Sequence, residues 1–494
     1  MTEYRVPIVK TATARFLAFF PLLLFILNLL TKSLYLTSQE IGLDEPFSIY
    51  HAQFGWVTAI AQLKGYNNPP LFEMLLHIWI KLFGISPLSV RVLPLLITCF
   101  SPLVLFYFGK RNFSTAVAVT SSLLLSFSSL LLYYAHDCRV YSLFLLLSLL
   151  SMYFFMERIR HPTRATTAGW IVFSVLLIYA HYFGIFILLV QSVYLLRFYR
   201  SAILKWLSAY ALLFLLYLPQ LLVMWQRMND SVKNGTWLQP PAGLESLYNM
   251  LWAFSNYPFV TVLCLFILVG GLTRGFKHRA SLATDRPLTL ILIWFLAPLL
   301  GMFFISYWVP MYIPRYLIFV LPGYYLVLAY CMETFITNLR WRFVVVTGTL
   351  LCFAFTLKLD PDKKQKNLEA VQMAQRLKDS TTLVLVFPWD VLPTFAYHYN
   401  PTYFATTADN KEYHLTDSLL RADHVYILNT KEVALGIINS KYQKIIYIGV
   451  GETYNSPQDP VTQALMQKNT LLYTWQFNDN CKLQVFKTPV HFRN

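Results

Sequence analysis

The sequence predicts a polytopic α-helical membrane protein ending in a small α/β domain, and three observations predict it. Composition comes first: 56% of the 494 residues are hydrophobic and only 13% are charged, against roughly 25% charged residues in a soluble domain. Second, apolar residues gather in runs such as Phe16 to Leu36, Leu288 to Trp308 and Tyr316 to Ile336, close to the roughly 20 residues a helix needs to cross a bilayer core. Third, charge is uneven: Met1 to Leu357 carries 25 Lys and Arg against 11 Asp and Glu, whereas Lys358 to Asn494 carries 15 against 13. The net charge of +16 therefore belongs to the apolar part, which argues against a nucleic-acid partner. The six cysteines are scattered without a CxxC pair, so neither a disulfide framework nor a structural zinc site is expected.

Taken in order, the runs place about 11 transmembrane helices near 16–36, 87–108, 116–134, 140–156, 168–180, 183–196, 206–225, 250–272, 288–308, 316–336 and 343–357. The first follows Arg5, Lys10 and Arg15 without a small-residue cleavage site, and reads as a retained helix rather than a signal peptide. With the N-terminus inside, 17 loop Lys and Arg fall on the inner side and seven on the outer side, as the positive-inside rule requires. The stretch 168–196 is one apolar region. Basic residues on both flanks want the same side, so the chain goes out and back, turning near His181-Tyr182-Phe183-Gly184. The orientation is N-in and C-out in a cell inner (plasma) membrane.

The predicted organisation is a transmembrane catalytic domain over 1–357, with a first outer loop at 37–86, and an extracytoplasmic α/β domain over 358–494. The latter carries an amphipathic helix at Lys363–Lys378 and β-type runs at Leu383–Phe387, Val425–Leu428, Ile445–Val450 and Leu483–Phe486. It holds no nucleotide loop and no metal spacing, and a docking or acceptor-handling role is assigned to it.

In the first outer loop, Asp44-Glu45-Pro46 reads as a helix start with proline in its first turn, setting two carboxylates at the positive end of a helix dipole. Asp44 there is either a cap or a catalytic carboxylate. The helix is expected to run from Pro46 to about Lys64 in the membrane interface, followed by a rigid turn at Asn67-Asn68-Pro69-Pro70. A second interfacial helix, Leu71 to Phe83, carries Glu73, His77 and Lys81 as one polar stripe.

Topology gathers further ionisable groups at the outer face: Asp137 and Arg139 between two spans, followed by Tyr141; His181 at its turn; Arg315, followed by Tyr316, at the start of a late span. Asp137 with Arg139 also fits a pair marking a helix end, Arg315 an interfacial anchor, and His181 a structural histidine. Charges at membrane depth cost a few kcal/mol on insertion scales and are usually paired or functional. Carboxylates and arginines under apolar walls suit a base-activated acceptor hydroxyl and an anionic lipid-linked substrate.

These residues, in order over about 350 positions, resemble the GT-C membrane glycosyltransferases, in particular the bacterial branch (glycosyltransferase family 39) related to protein O-mannosyltransferases and the lipid A aminoarabinose transferase. The matching pieces are Leu43-Asp44-Glu45, Asn68-Pro69-Pro70-Leu71, Phe83-Gly84, Arg91, Tyr134 to Tyr141, His181-Tyr182-Phe183-Gly184 and Arg315-Tyr316. The resemblance implies inverting transfer from a polyprenyl-phosphate sugar donor to a lipid, glycan or protein acceptor, with Asp44 as base and Glu45 orienting it. It makes Asp137 an acid near the site and Arg139 and Arg315 holders of the donor phosphate. The departure is Asn68, where relatives often carry His or Lys. A divalent metal ion would assist the leaving phosphate, with His51 or His136 as a ligand, but no ligand spacing supports one. The alternative is a membrane transporter or flippase; it lacks matching interrupted helices in two halves.

Overall fold

The computed structural model describes residues 8–42, 44–65, 68–236, 238–277, 285–360, 367–405, 413–428, 442–451, 460–478 and 481–489. Leu43, Asn67, Arg5 and Lys363, each part of an expectation above, lie outside them. The chain divides into two compact units, one of Met1–Leu36, Leu63–Phe72 and Arg91–Asp360, the other of Thr37–Gln62, Glu73–Val90 and Pro361–Asn494.

The helices of the first half are α1 (Ile8–Ser33), α2 (Glu45–His51), α3 (Trp56–Leu63), α4 (Leu71–Phe83), α5 (Pro87–Asn112), α6 (Thr115–Ser126), α7 (Ser129–Ala135), α8 (Tyr141–Arg160), α9 (Arg164–Ala180), α10 (Ile185–Phe198) and α11 (Ile203–Asn234). There follow α12 (Leu244–Phe254), α13 (Pro258–Lys277), α14 (Arg286–Ile305), α15 (Leu321–Phe335), α16 (Leu339–Phe355), α17 (Asn367–Leu377), α18 (Leu392–Tyr399), α19 (Pro401–Phe404), α20 (His414–Ala422) and α21 (Pro460–Lys468).

Every predicted apolar run falls mainly on one of these helices or on a bent pair of them, the run 316–336 beginning in a 3-10 turn, Pro314–Val320. Among the described residues, five helical segments are long and apolar enough to cross a bilayer: Pro87–Asn112, Tyr141–Arg160, Arg200–Asn234, Arg286–Ile305 and Pro314–Thr334. Two bent pairs add to them, α6 with α7 at 57° and α12 with the start of α13 at 99°, and Leu17–Ser33, Arg164–Ala180 and Tyr182–Phe198 are shorter apolar helices. This is a polytopic integral membrane protein.

Within the first unit the bends are held by hydrogen bonds, as irregular backbone in an apolar medium requires. Asn256, in the left-handed region at φ +65°, takes the Ser129 N–H on Oδ1 at 2.7 Å and donates from Nδ2 to the carbonyls of Phe127 (2.8 Å) and Phe353 (3.1 Å). One side chain thus serves the α6/α7 break, the α12/α13 break and the end of α16. Small residues allow close helix contacts: a Cβ on Gly109 would lie 2.9 Å from the Ala118 Cα, and one on Gly323 3.0 Å from the Phe295 N.

Three local expectations are corrected in this architecture. Helix α11 runs to Asn234 and stops at Gly235, φ +75°, so Arg227 and Lys233 stand on a helix that continues past the span expected at 206–225; no Gly or Pro interrupts the run from Gln220 to Asn234. The helix expected from Pro46 to Lys64 is two, α2 and α3, separated at Ala52–Gly55. Two members of the polar stripe of α4 face inward: Glu73 and His77 are buried, whereas Lys81 is exposed together with Ile78, Leu82 and Phe83. Ser48 Oγ donates to Glu73 Oε1 at 2.8 Å and His77 Nδ1 donates to the Ala52 carbonyl at 2.7 Å, so the second unit supplies the partners that would otherwise be water.

The second unit also contains a sheet of five strands, β1 (Thr382–Phe387), β2 (Val425–Ile427), β3 (Lys444–Val450), β4 (Thr470–Asn478) and β5 (Cys481–Lys487), in the order β2-β1-β3-β5-β4. β1 pairs in parallel with β2 and β3, with Val384 opposite Val425 and Ile446; β5 pairs antiparallel with β3 and β4. All of β1 is buried, as a central parallel strand covered on both faces must be. Leu383, Leu385, Ile445, Tyr447 and Phe486 pack with Val461 and Leu465 of α21. The four predicted β runs are all strands. β4 was not predicted: register shifts between Leu471 and Tyr473 and between Gln476 and Asn478 break the alternation that marks a strand.

Candidate active site

In the first unit three chain turns bring one group of predicted residues together. Arg139 and Asp137 lie in the turn between α7 and α8, Tyr141 opens α8, His181 lies between α9 and α10, and Arg315 and Tyr316 sit in a 3-10 turn, Pro314–Val320, ahead of α15. The His181 ring stacks on Phe144 at 4.5 Å and 15°, with Tyr316 at 5.6 Å and Tyr141 at 6.1 Å. The Arg315 guanidinium lies 5.5 Å from the Tyr316 ring and 5.9 Å from the Tyr141 ring. Two aromatic faces therefore fix a planar cation.

The protonation of His181 follows from its contacts. The Phe183 N–H donates to Nδ1 at 3.2 Å, so Nδ1 carries no proton and the neutral ring carries its hydrogen on Nε2. Burial, then Arg315, then Arg139 pull the imidazole down to about 3, so it is neutral at physiological pH. Nε2 is buried with no hydrogen-bond partner among the described residues. The turn thus presents a neutral N–H donor within the electrostatic reach of Arg315 and Arg139, suited to an anionic oxygen that both cations also attract.

A stability test follows. The unfolded chain takes up a proton at His181 as pH falls through about 6.5, whereas the folded one resists until near 3. The stability from keeping this ring neutral is complete above pH 6.5 and is lost on acidification at about 1.4 kcal/mol per pH unit. His181→Phe, which keeps the stack on Phe144, will lose less melting temperature between pH 7 and pH 5 than the wild type. Equal losses would refute the assignment.

Asn68 is half-buried in the turn before Pro69, and Arg91 is fully buried, donating to the Leu36 carbonyl at 3.1 Å. Sequence reasoning missed Lys32, which is buried in α1 and donates to Asn28 Oδ1 at 2.6 Å and to the Ser126 carbonyl at 2.9 Å. Its signal was there in the four-residue spacing of Asn28 and Lys32. His136 Nε2 donates to the Lys32 carbonyl at 2.7 Å, and His51 Nδ1 donates to the Phe47 carbonyl at 2.8 Å. Both suggested ligand histidines thus have one ring nitrogen committed to a carbonyl. Among the described residues no three His, Cys, Asp or Glu side chains converge as a metal set.

In the second unit Asp44 and Glu45 open α2. Asp44 is the N-cap residue by position, but its backbone is helical, φ −87° and ψ −6°, and its side chain makes no capping hydrogen bond. A side-chain cap typically has extended backbone at that residue, so Asp44 does not act as a side-chain cap of α2. Glu45 is fully buried, and its Oε2 lies 3.4 Å from the Gly42 N–H that donates to it. Pro46 follows within the first turn.

The chain has the GT-C fold, the architecture of polytopic membrane glycosyltransferases. It is similar to the solved structure of ArnT, the lipid A aminoarabinose transferase, from Cupriavidus metallidurans in the apo state, with TM-score 0.61 and 14% identity over 96% of this chain and 98% of that one. The same protein bound to undecaprenyl phosphate gives TM-score 0.58 and 13% identity over 95% and 98%. The Archaeoglobus fulgidus oligosaccharyltransferase in complex with zinc and sulfate gives 0.53 and 10% over 91% and 71%. At these identities the likeness is one of fold. No protein-family model and no curated protein matches the sequence.

Proposed function

We propose that this protein is an inverting glycosyltransferase that moves a sugar from a polyprenyl-phosphate donor to an acceptor hydroxyl on the outer face of the membrane. The observation that carries the reading is the likeness of fold along nearly the whole chain to a transferase solved with undecaprenyl phosphate. The arginine–histidine cluster supports it, since two guanidinium groups and a neutral N–H suit a phosphate monoester.

In the reaction Asp44 takes the proton from the acceptor hydroxyl as its oxygen attacks the anomeric carbon. The bond from that carbon to the phosphate oxygen breaks, and polyprenyl phosphate leaves with the electron pair on the opposite face, inverting the centre. Glu45 orients Asp44. Arg139, Arg315 and His181 receive the charge that grows on the leaving phosphate, while Tyr141 and Tyr316 hold Arg315 in place; Asn68 and Asp137 line the donor's path. The N-terminus is inside and residues 358–494 are outside.

The test gives the purified protein synthetic polyprenyl-phosphate sugars together with lipid, glycan and peptide acceptors, and measures release of polyprenyl phosphate. Release that depends on an acceptor is expected. Absence of release with every donor, with translocation of lipid or sugar in proteoliposomes instead, would replace the reading by a transporter.

A further inference from the structure

We infer that the segment after residue 366 is the positioning scaffold of the acidic loop, fixing the chain on both sides of Asp44. The inference rests on the reading of Asp44 as base. All the contacts lie within the second unit. Ahead of Asp44, the Glu40 carboxylate accepts the N–H groups of Asn367 and Leu368, each at 2.7 Å, at the start of α17. One residue on, the Ile41 carbonyl accepts His398 Nε2–H of α18 at 2.7 Å. Beyond Asp44, the Tyr50 hydroxyl accepts the Tyr413 N–H at 2.9 Å, and the two rings stack at 4.1 Å and 28°. Phe404 closes on Tyr50 edge-on at 5.7 Å, and its carbonyl accepts from Gln53 Nε2 at 3.4 Å.

The acid is thus bracketed: the chain is tied at 40–41 and again at 50–53. α2 is a seven-residue helix, too short to be stable by its own hydrogen bonds, so its direction is set by what it packs on. Tyr413 supports the same view. It holds a left-handed backbone at φ +53°, a conformation unfavourable for a non-glycine residue, and in that conformation its N–H and its ring both meet Tyr50. The loop's remaining outer arm is tied as well, by Tyr397 Oη donating to the Ile85 carbonyl at 2.7 Å.

A general base displaced by about 1 Å costs on the order of a hundredfold in rate, so Tyr50, Tyr413, His398 and Glu40 are positioning residues for the chemical step. The experiment compares Tyr50→Phe, which keeps the stacked ring and removes the acceptor, and His398→Phe, which removes the donor, with Asp44→Asn. The readings are kcat and KM for a polyprenyl-phosphate sugar, Kd for undecaprenyl phosphate, and melting temperature in detergent. In both clamp variants kcat is expected to fall about 10- to 100-fold while KM and Kd stay within about twofold, and His398→Gln, which retains a donor, recovers most of the rate. Wild-type kcat in both clamp variants, with Asp44→Asn inactive, overturns the scaffold and leaves the base standing. Loss of Kd and melting temperature together with kcat also overturns it, because the contacts would then be general structure. If Asp44→Asn turns over as fast as wild type, the base reading itself fails.

Discussion

The Asp44→Asn protein will bind undecaprenyl phosphate as tightly as the wild type and turn over a polyprenyl-phosphate sugar about 10²- to 10⁴-fold more slowly, the range that a general base contributes. The substitution is isosteric, so packing around α2 is kept. Asp44 makes no capping hydrogen bond, so the roughly 0.5–2 kcal/mol lost with a true cap is not at stake. Its place at the start of a short helix carries a charge–dipole term of about 0.3–1 kcal/mol. The signature is therefore a collapse of kcat with an unchanged Kd and a nearly unchanged melting temperature. Glu45→Gln, altering a neighbour of the proposed base, will cost less in kcat than Asp44→Asn. A full-rate Asp44→Asn enzyme would return this residue to the role of a surface acid.

Asn256→Ala will lower the stability of the first unit, and its effect will appear in melting temperature. It leaves the Ser129 N–H and the Phe127 and Phe353 carbonyls without their side-chain partner. Polar pairs inside membrane proteins average about 0.6 kcal/mol in double-mutant cycles, which gives about 2 kcal/mol for three. Placing alanine at φ +65° adds roughly 1–2 kcal/mol. Asn256→Gly, which loses the bonds but suits the backbone, will melt between the wild type and Asn256→Ala. If all three proteins melt together in detergent, the two helix breaks are held by packing alone.

The helices were legible because a bilayer imposes a length and an apolar composition, and both are properties of local sequence. Their breaks were not: Asn256 is one polar residue between two apolar stretches, and nothing local says that it serves three backbone groups at once. The same limit governed α4. Spacing at Glu73, His77 and Lys81 correctly put three polar groups in a row, but hydropathy treats polarity as a demand for water and cannot see Ser48 or the Ala52 carbonyl waiting as partners. In the candidate site Arg139, His181 and Arg315 were legible as ionisable groups beside apolar runs, and the structure brings His181, Arg315, Tyr141 and Tyr316 together. The tautomer of His181 needed the Phe183 N–H, a contact two residues away that depends on the turn's backbone. The ties on Tyr50 and Glu40 were out of reach, since their partners lie more than 300 residues further along the chain.

Helix α11, ended only at Gly235, has a consequence for the surrounding lipid. At 1.5 Å per residue its 32 residues extend about 48 Å, against a hydrocarbon core of about 30 Å. Trp225, Met228 and Val232 in its last third are exposed. A rod of that length must lean or carry apolar surface into the headgroup layer, so acyl chain length becomes a control on the protein's behaviour: thicker bilayers will let α11 stand more upright, and thinner ones will make it tilt.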